Sequence, residues 1–193
     1  MKLLIDSSTN YLFLAVINGE TIKTLIRCGK NDHSETLVDT LNNFLKANNY
    51  NLQDVKELLI GRGPGSYTGL RIAGTVGKVL AYVNNIDLYS FSSLDLILSS
   101  VVSKDGNYLL TIDAKKNHSY YKTAIIKNGK ITCSEELFAE NTVFNEYPNY
   151  QILTINEELF KTGKILAENI IKYQLYRQEN EFEYTPNYIR SGI

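Results

Sequence analysis

In 193 residues the sequence has no tryptophan, one methionine, two histidines, two cysteines and three prolines. Each scarcity excludes a class of chemistry. Cys28 and Cys133 stand far apart with no C-x-x-C, which excludes a disulfide framework or a zinc knuckle; both are expected to be free, buried thiols. His33 and His118 cannot be written as H-x-x-x-H or H-E-x-x-H, so no helix carries a zinc pair. A net charge of −1 gives no bulk attraction to nucleic acid. No apolar run approaches the roughly 18 residues of a membrane span. The apolar part of MKLLIDSSTN is too short for a signal peptide, so the expected location is the cytoplasm, without a membrane. No G-x-S-x-G elbow occurs either, which leaves a hydrolase triad without support.

What is present is globular: 44% hydrophobic and 21% charged residues, enough for one domain or two small lobes. The start reads as a meander, KLLID, YLFLAVI and TIKTLIR, with Asn18-Gly19 as a two-residue hairpin turn. LLTID at 109–113, YYKTAII and KITCS with Asn128-Gly129 repeat the unit, which favours a duplicated lobe. NDHSETLVDTLNNFLKANN carries an N-cap at Asp32, Glu35 three residues on, and Leu37, Val38, Leu41, Phe44 and Leu45 at helical spacing. A strand follows at 55–61, then a helix over 68–83, a strand at 86–91 and a helix capped by Ser92 or Ser93. The N-terminal half is therefore βββαβαβα, a mixed sheet with helices. In the second half 157–178 predicts one helix, and Pro186 biases the tail toward extended backbone. The expected division is an N-terminal lobe over 1–103 and a truncated second lobe over 104–193.

The segment GRGPGSYTGLRIAGTVGKVLA, 61–81, joins a strand to a helix. It fails the Walker pattern, because no Lys-Ser/Thr stands where one is required, and it fails G-x-G-x-x-G, because Thr68 occupies the third position. It reads as a tight turn set by Gly63, Pro64 and Gly65. In the helix, Gly69, Ala73, Gly77 and Ala81 lie four apart with Gly74 beside them. Interior glycines cost about 0.8–1.0 kcal/mol each relative to alanine, so something must approach closely enough to offset the loss. Two partners fit: another protein's helix, or this chain's own sheet or first helix. Asp6 and Asp113 each end a strand before a turn, where a carboxylate either holds a metal-bound phosphate or caps the turn. His33 sits at a helix entrance, and His118 lies in a polar loop without a carboxylate or thiol companion.

Two lobes that each open strand–Asp–turn–strand–turn–strand resemble the actin-like, sugar-kinase and chaperone-ATPase (ASKHA) superfamily, an α/β fold. Within it, the 61–81 segment resembles the GPGS[FY]TGLR-helix hallmark of the TsaB (YeaZ) family. LLIDSST, DHSETL, DAKKNHSYY at 113–121 and PNYIR at 186–190 match in order, and together they span almost the whole chain. The resemblance implies a non-catalytic subunit that heterodimerises with TsaD, joined by the ATPase TsaE. Their shared task is N6-threonylcarbamoyladenosine formation on tRNAs reading codons that start with A, with tRNA met through the complex. It implies no cofactor and no metal for this chain.

The family's dimer contact uses the first two helices, here 33–48 and 68–83. The docking face is then expected at Leu37, Leu41, Leu45, Gly69, Leu70, Ala73, Gly74, Gly77 and Ala81. A bulky residue at Gly77 should abolish docking and spare the fold, unless the stripe is core. The motif loop comprises Gly63, Pro64, Gly65, Ser66, Thr68 and Arg71. Asp6, Ser7, Ser8 and Asp113 are the expected remnant of a nucleotide site, since Asp113-Ala114-Lys115 lacks the superfamily's D-x-G glycine. The alternative is a small-molecule kinase or ATPase working through Asp6, Ser7, Ser8 and Asp113. A third reading is direct tRNA binding by Lys115, Lys116 and nearby tyrosines. The same helix face also allows a homodimer when the chain is alone.

Overall fold

The computed structural model describes residues 1–29 and 33–189, with the side chain of His33 outside that description. The expected N-cap Asp32 and the final Arg190 of PNYIR also lie outside the described residues.

The first meander is β1 (Lys2–Asp6), β2 (Tyr11–Asn18) and β3 (Thr21–Cys28), all antiparallel. The register pairs Asn18 with Thr21, so the turn is Gly19-Glu20, one residue later than the sequence suggests. Gly19 alone takes a positive φ there, as a turn with glycine first requires. Helix α1 (His33–Ala47) leads to β4 (Glu57–Gly61), which pairs parallel with β1. Helix α2 (Tyr67–Asn84) follows, then β5 (Asp87–Phe91), parallel to β4, and α3 (Ser93–Leu98), capped by Ser92 Oγ.

A second sheet repeats the plan. The antiparallel set is β6 (Gly106–Asp113), β7 (His118–Lys127) and β8 (Lys130–Cys133), with β9 (Leu137–Glu140) on β7 as well. Its hairpin turn is Asn128-Gly129, both at positive φ as predicted. Strand β10 (Gln151–Thr154) lies parallel to β6, as β4 lies to β1.

The expected helix over 157–178 is broken. It divides into α4 (Glu157–Phe160) and α5 (Gly163–Lys172), and then gives way to β11 (Tyr176–Gln178). Gln174 takes a left-handed φ of 52° and ends the helical run. Strand β11 then joins the first sheet antiparallel to β5, giving the order β11-β5-β4-β1-β2-β3. Helical periodicity persists through the segment, but a free sheet edge captures its end, an interaction no local pattern encodes.

Alternation along β1 explains its unbroken apolar run. Leu3 and Ile5 face α1 and α2, where Leu37, Leu41, Leu45 and Ala73 complete one core. Leu4 faces the other way, with Phe13, Leu59, Leu166 and Ile170. Helix α3 covers the second sheet through Leu94, Ile97 and Leu98 against Leu110, Ile112 and Ala124. Both cysteines are exposed, not buried as expected, because Cys28 and Cys133 close strands at the sheet margins. Among the described residues no helix is long and apolar enough to cross a membrane.

Candidate functional site

A cleft of about 1210 Å³ opens between the two sheets. One wall comes from the turn after β1 (Ser8, Thr9, Asn10) and the first turn of α2 (Ser66, Thr68). The opposite wall is the turn after β6, with Asp113 and Lys115, and Asn187 and Tyr188 of the tail complete the rim.

The strand-end aspartates are not equivalent. Asp6 is buried, and its carboxylate accepts from Ser93 Oγ at 2.7 Å and from the Ser8 N–H at 2.8 Å. A Cβ at Gly61 would lie 2.1 Å from Asp6 Oδ2, so glycine there makes room for the carboxylate. Asp6 and Ser7 do not line the cleft; Ser8 does, and its hydroxyl is buried without a hydrogen-bond partner. Asp113 faces solvent. Its modest burial pushes the carboxyl up, but hydrogen bonds and charge from Lys115 outweigh that and hold it below the usual range. Lys115, Lys116 and Asn117 all take positive φ, a run of left-handed backbone that tightens the turn. Asp6→Asn is expected to cost about 1–3 kcal/mol, the usual penalty for spoiling a buried hydrogen-bonded polar group, read as a lower urea midpoint.

The motif loop folds onto the turn after β1. The Ser66 N–H donates to Ser8 O at 2.6 Å, Ser7 Oγ donates to Gly69 O at 2.9 Å, and Ser66 Oγ accepts from the Gly69 N–H as the α2 cap. A Cβ at Gly65 would sit 2.2 Å from Ser8 O, and one at Gly69 would sit 1.9 Å from Ser7 O. Gly63 supplies a φ of 94° before the buried Pro64. Thr68 and Arg71 are exposed where they line the cleft, and the Arg71 guanidinium lies 4.1 Å from the centroid of the Tyr67 ring. Lys115 is exposed on the far wall and Lys116 is exposed next to it in the chain, while His118 stacks on Phe138. Among the described residues, no group of three or more His, Cys, Asp or Glu side chains is placed to hold a metal.

The docking face expected from the sequence requires correction. Leu37, Leu41, Leu45, Gly69, Leu70, Ala73, Gly74, Gly77 and Ala81 are all buried inside the chain. The small stripe lets α2 press on its own neighbours: a Cβ at Gly77 would lie 2.9 Å from Ile60 Cγ2, and one at Gly74 3.1 Å from the Tyr184 ring. The opposite side of α2 is open instead. Thr68, Arg71, Thr75, Val79, Tyr82 and Val83 are exposed on it, and Val38 is exposed on α1. Tyr82 also meets Phe182 of the tail edge-on at 5.6 Å. The spacing 68, 71, 75, 79, 82 carried this signal in the sequence, as the helix face opposite the glycines.

The family model described as "TsaD: tRNA N6-adenosine threonylcarbamoyltransferase" matches residues 27–188. The chain is 31% identical over 128 residues to the Bacillus subtilis (strain 168) protein named "tRNA threonylcarbamoyladenosine biosynthesis protein TsaB", covering 66% of this chain and 56% of that one. Against the Escherichia coli (strain K12) protein of the same name, identity is 27% over 121 residues, covering 62% and 52%. The matched part thus spans about half the length of these curated relatives. Among solved structures, "YeaZ from Pseudomonas aeruginosa" superimposes with a TM-score of 0.76 at 18% identity, covering 97% of this chain and 98% of that one. The fold is α/β, with two sheets that each open with the expected meander, and it is the fold of the YeaZ structures.

Proposed function

The chain belongs to the TsaB/YeaZ family, within the wider tRNA N6-adenosine threonylcarbamoyltransferase family, and on that premise we propose that it is a non-catalytic subunit of tRNA threonylcarbamoyladenosine biosynthesis. It docks with TsaD, works beside TsaE in the cytoplasm, and meets tRNA through that complex. The lobes divide at 1–103 and 104–193 in this reading.

The observation that carries the proposal is the occupied seat at the end of β1. A kinase of this fold needs its strand-end carboxylate and following turn open to a metal-bound phosphate. Here Asp6 is engaged by Ser93 and Ser8, and the first turn of α2 is hydrogen-bonded onto Ser7 and Ser8. What α2 leaves open is an apolar stripe, Val79, Tyr82 and Val83, at the helix pair implied for docking. Alone, the same stripe suits a second copy of the chain.

The test is threonylcarbamoyladenosine formation on tRNA by a purified TsaD-type subunit with TsaE and the adenylate source, with and without this chain. Activity only in its presence, and none from the chain alone, is expected. Equal activity without it overturns the reading. Metal-dependent ATP hydrolysis by the isolated chain would favour the kinase or ATPase alternative.

A further inference from the structure

The PNYIR segment has no role in the docking face or in the chemistry of the cleft, yet its described residues touch both lobes. The Asn187 N–H donates to the Arg62 carbonyl at 2.7 Å, on the first-lobe loop after β4. The Asn187 side-chain amide donates to Glu136 Oε2, on the second-lobe loop between β8 and β9. Arg62 and Glu136 are themselves paired, with Nη2 3.5 Å from Oε1 and both side chains mostly buried. One asparagine is thus bonded to both members of an interlobe ion pair.

Upstream, the tail is anchored to the first lobe. Tyr184 is buried against α2 at Gly74, and Lys78 Nζ donates to the Tyr184 carbonyl at 3.4 Å. Downstream, Tyr188 packs on Tyr67 with centroids 5.2 Å apart, at the cleft rim.

We propose that Tyr184–Tyr188 is a clasp that fixes the angle between the lobes, with Tyr184 as its anchor and Asn187 as the pin that closes the Arg62–Glu136 pair between them. The side chains of this pin are polar and half-buried, so release exposes little apolar area and leaves each sheet intact. Hinge opening between two intact lobes is the expected result. The clasp stands whether or not the chain docks with TsaD.

The chain carries its own reporters. Cys28 in the first sheet and Cys133 in the second are exposed, and no other cysteine occurs. Nitroxide labels on both, read by pulsed dipolar spectroscopy, measure the distance between the lobes. The unmodified chain should give one narrow distribution. Glu136→Ala removes the partner of both Arg62 and Asn187, and should broaden the distribution or move its mean by more than about 2 Å, the scale of a domain rearrangement. Asn187→Leu removes only the side-chain bond and should shift it less, in the same direction. Phe182→Ser, on the tail but outside the pin, should leave it unchanged. Circular dichroism confirms folding, and if Glu136→Ala does not fold, Asn187→Leu alone decides. Distributions for the pin variants that superimpose on the unmodified chain overturn the clasp, and so does an equal shift from Phe182→Ser.

Discussion

A chain carrying both Val79→Asp and Tyr82→Asp is expected to keep its melting temperature within about 4 °C and to lose roughly 100-fold or more of its affinity for a TsaD-type subunit. The two halves of that expectation have separate physical grounds. Val79 and Tyr82 are 54% and 65% exposed on α2, so neither fills a core position. Exposed substitutions ordinarily change stability by about 0.5 kcal/mol or less, and aspartate in place of these residues adds little helix-propensity cost. At an interface the same positions matter more. A central aromatic hot spot is worth about 2–4 kcal/mol, and an unpaired carboxylate in a desolvated patch adds to the loss. At about 1.4 kcal/mol per tenfold, the pair reaches the stated factor. Titration calorimetry against the partner, beside a thermal melt, reads both halves. Unchanged affinity would move docking off the outer face of α2; a collapsed melt would mean that the face is structural.

The largest loss of stability is expected at Gly69. A single methyl there would lie 1.9 Å from Ser7 O and 3.0 Å from Ser7 C, both backbone atoms. Ser7 cannot rotate away, because its hydroxyl holds Gly69 O and its neighbour Ser8 accepts from Ser66. Relief requires lifting α2 off the turn after β1. Overpacking with flexible neighbours costs about 1–3 kcal/mol, and a rigid one puts Gly69→Ala at about 4 kcal/mol or beyond. For a chain of this size that corresponds to a melting temperature lower by about 8–16 °C. Gly77→Ala makes the comparison informative. Its methyl would meet the Ile60 side chain rather than backbone atoms, and alanine regains about 0.8–1.0 kcal/mol of helix propensity. Its melt should fall by only a few degrees. Gly77→Leu has no such room and is expected to unfold the chain, which replaces the sequence-based expectation that it would spare the fold. Similar losses at Gly69 and Gly77 would show that helix propensity, not contact with Ser7, sets the cost.

Both results turn on which side of α2 faces inward, and on this point sequence and tertiary structure divide. The sequence by itself determined the two meanders, the helices over α1 and α2 and the Asn128-Gly129 turn. These rest on period-2 and period-3.6 patterning and on turn chemistry, which are local. It also showed that the glycine stripe demanded a close neighbour, because isolated helices do not tolerate such a cost. It could not say whose atoms the neighbour would bring: a bare stripe fits a foreign helix and the chain's own β4 and Ser7 equally well. Only the tertiary structure decided that, by bringing Ile60, Ser7 and Tyr184 to within contact distance of Gly77, Gly69 and Gly74. The same holds for the end of the predicted 157–178 helix, where Tyr176–Gln178 left helical spacing to pair with β5. It holds equally for Asn187, which is only a polar residue after a proline until folding places Arg62 and Glu136 on either side of it. Periodicity specifies which face of an element is apolar; the partner of that face is set by contacts between residues distant in sequence, and those exist only once the chain has folded.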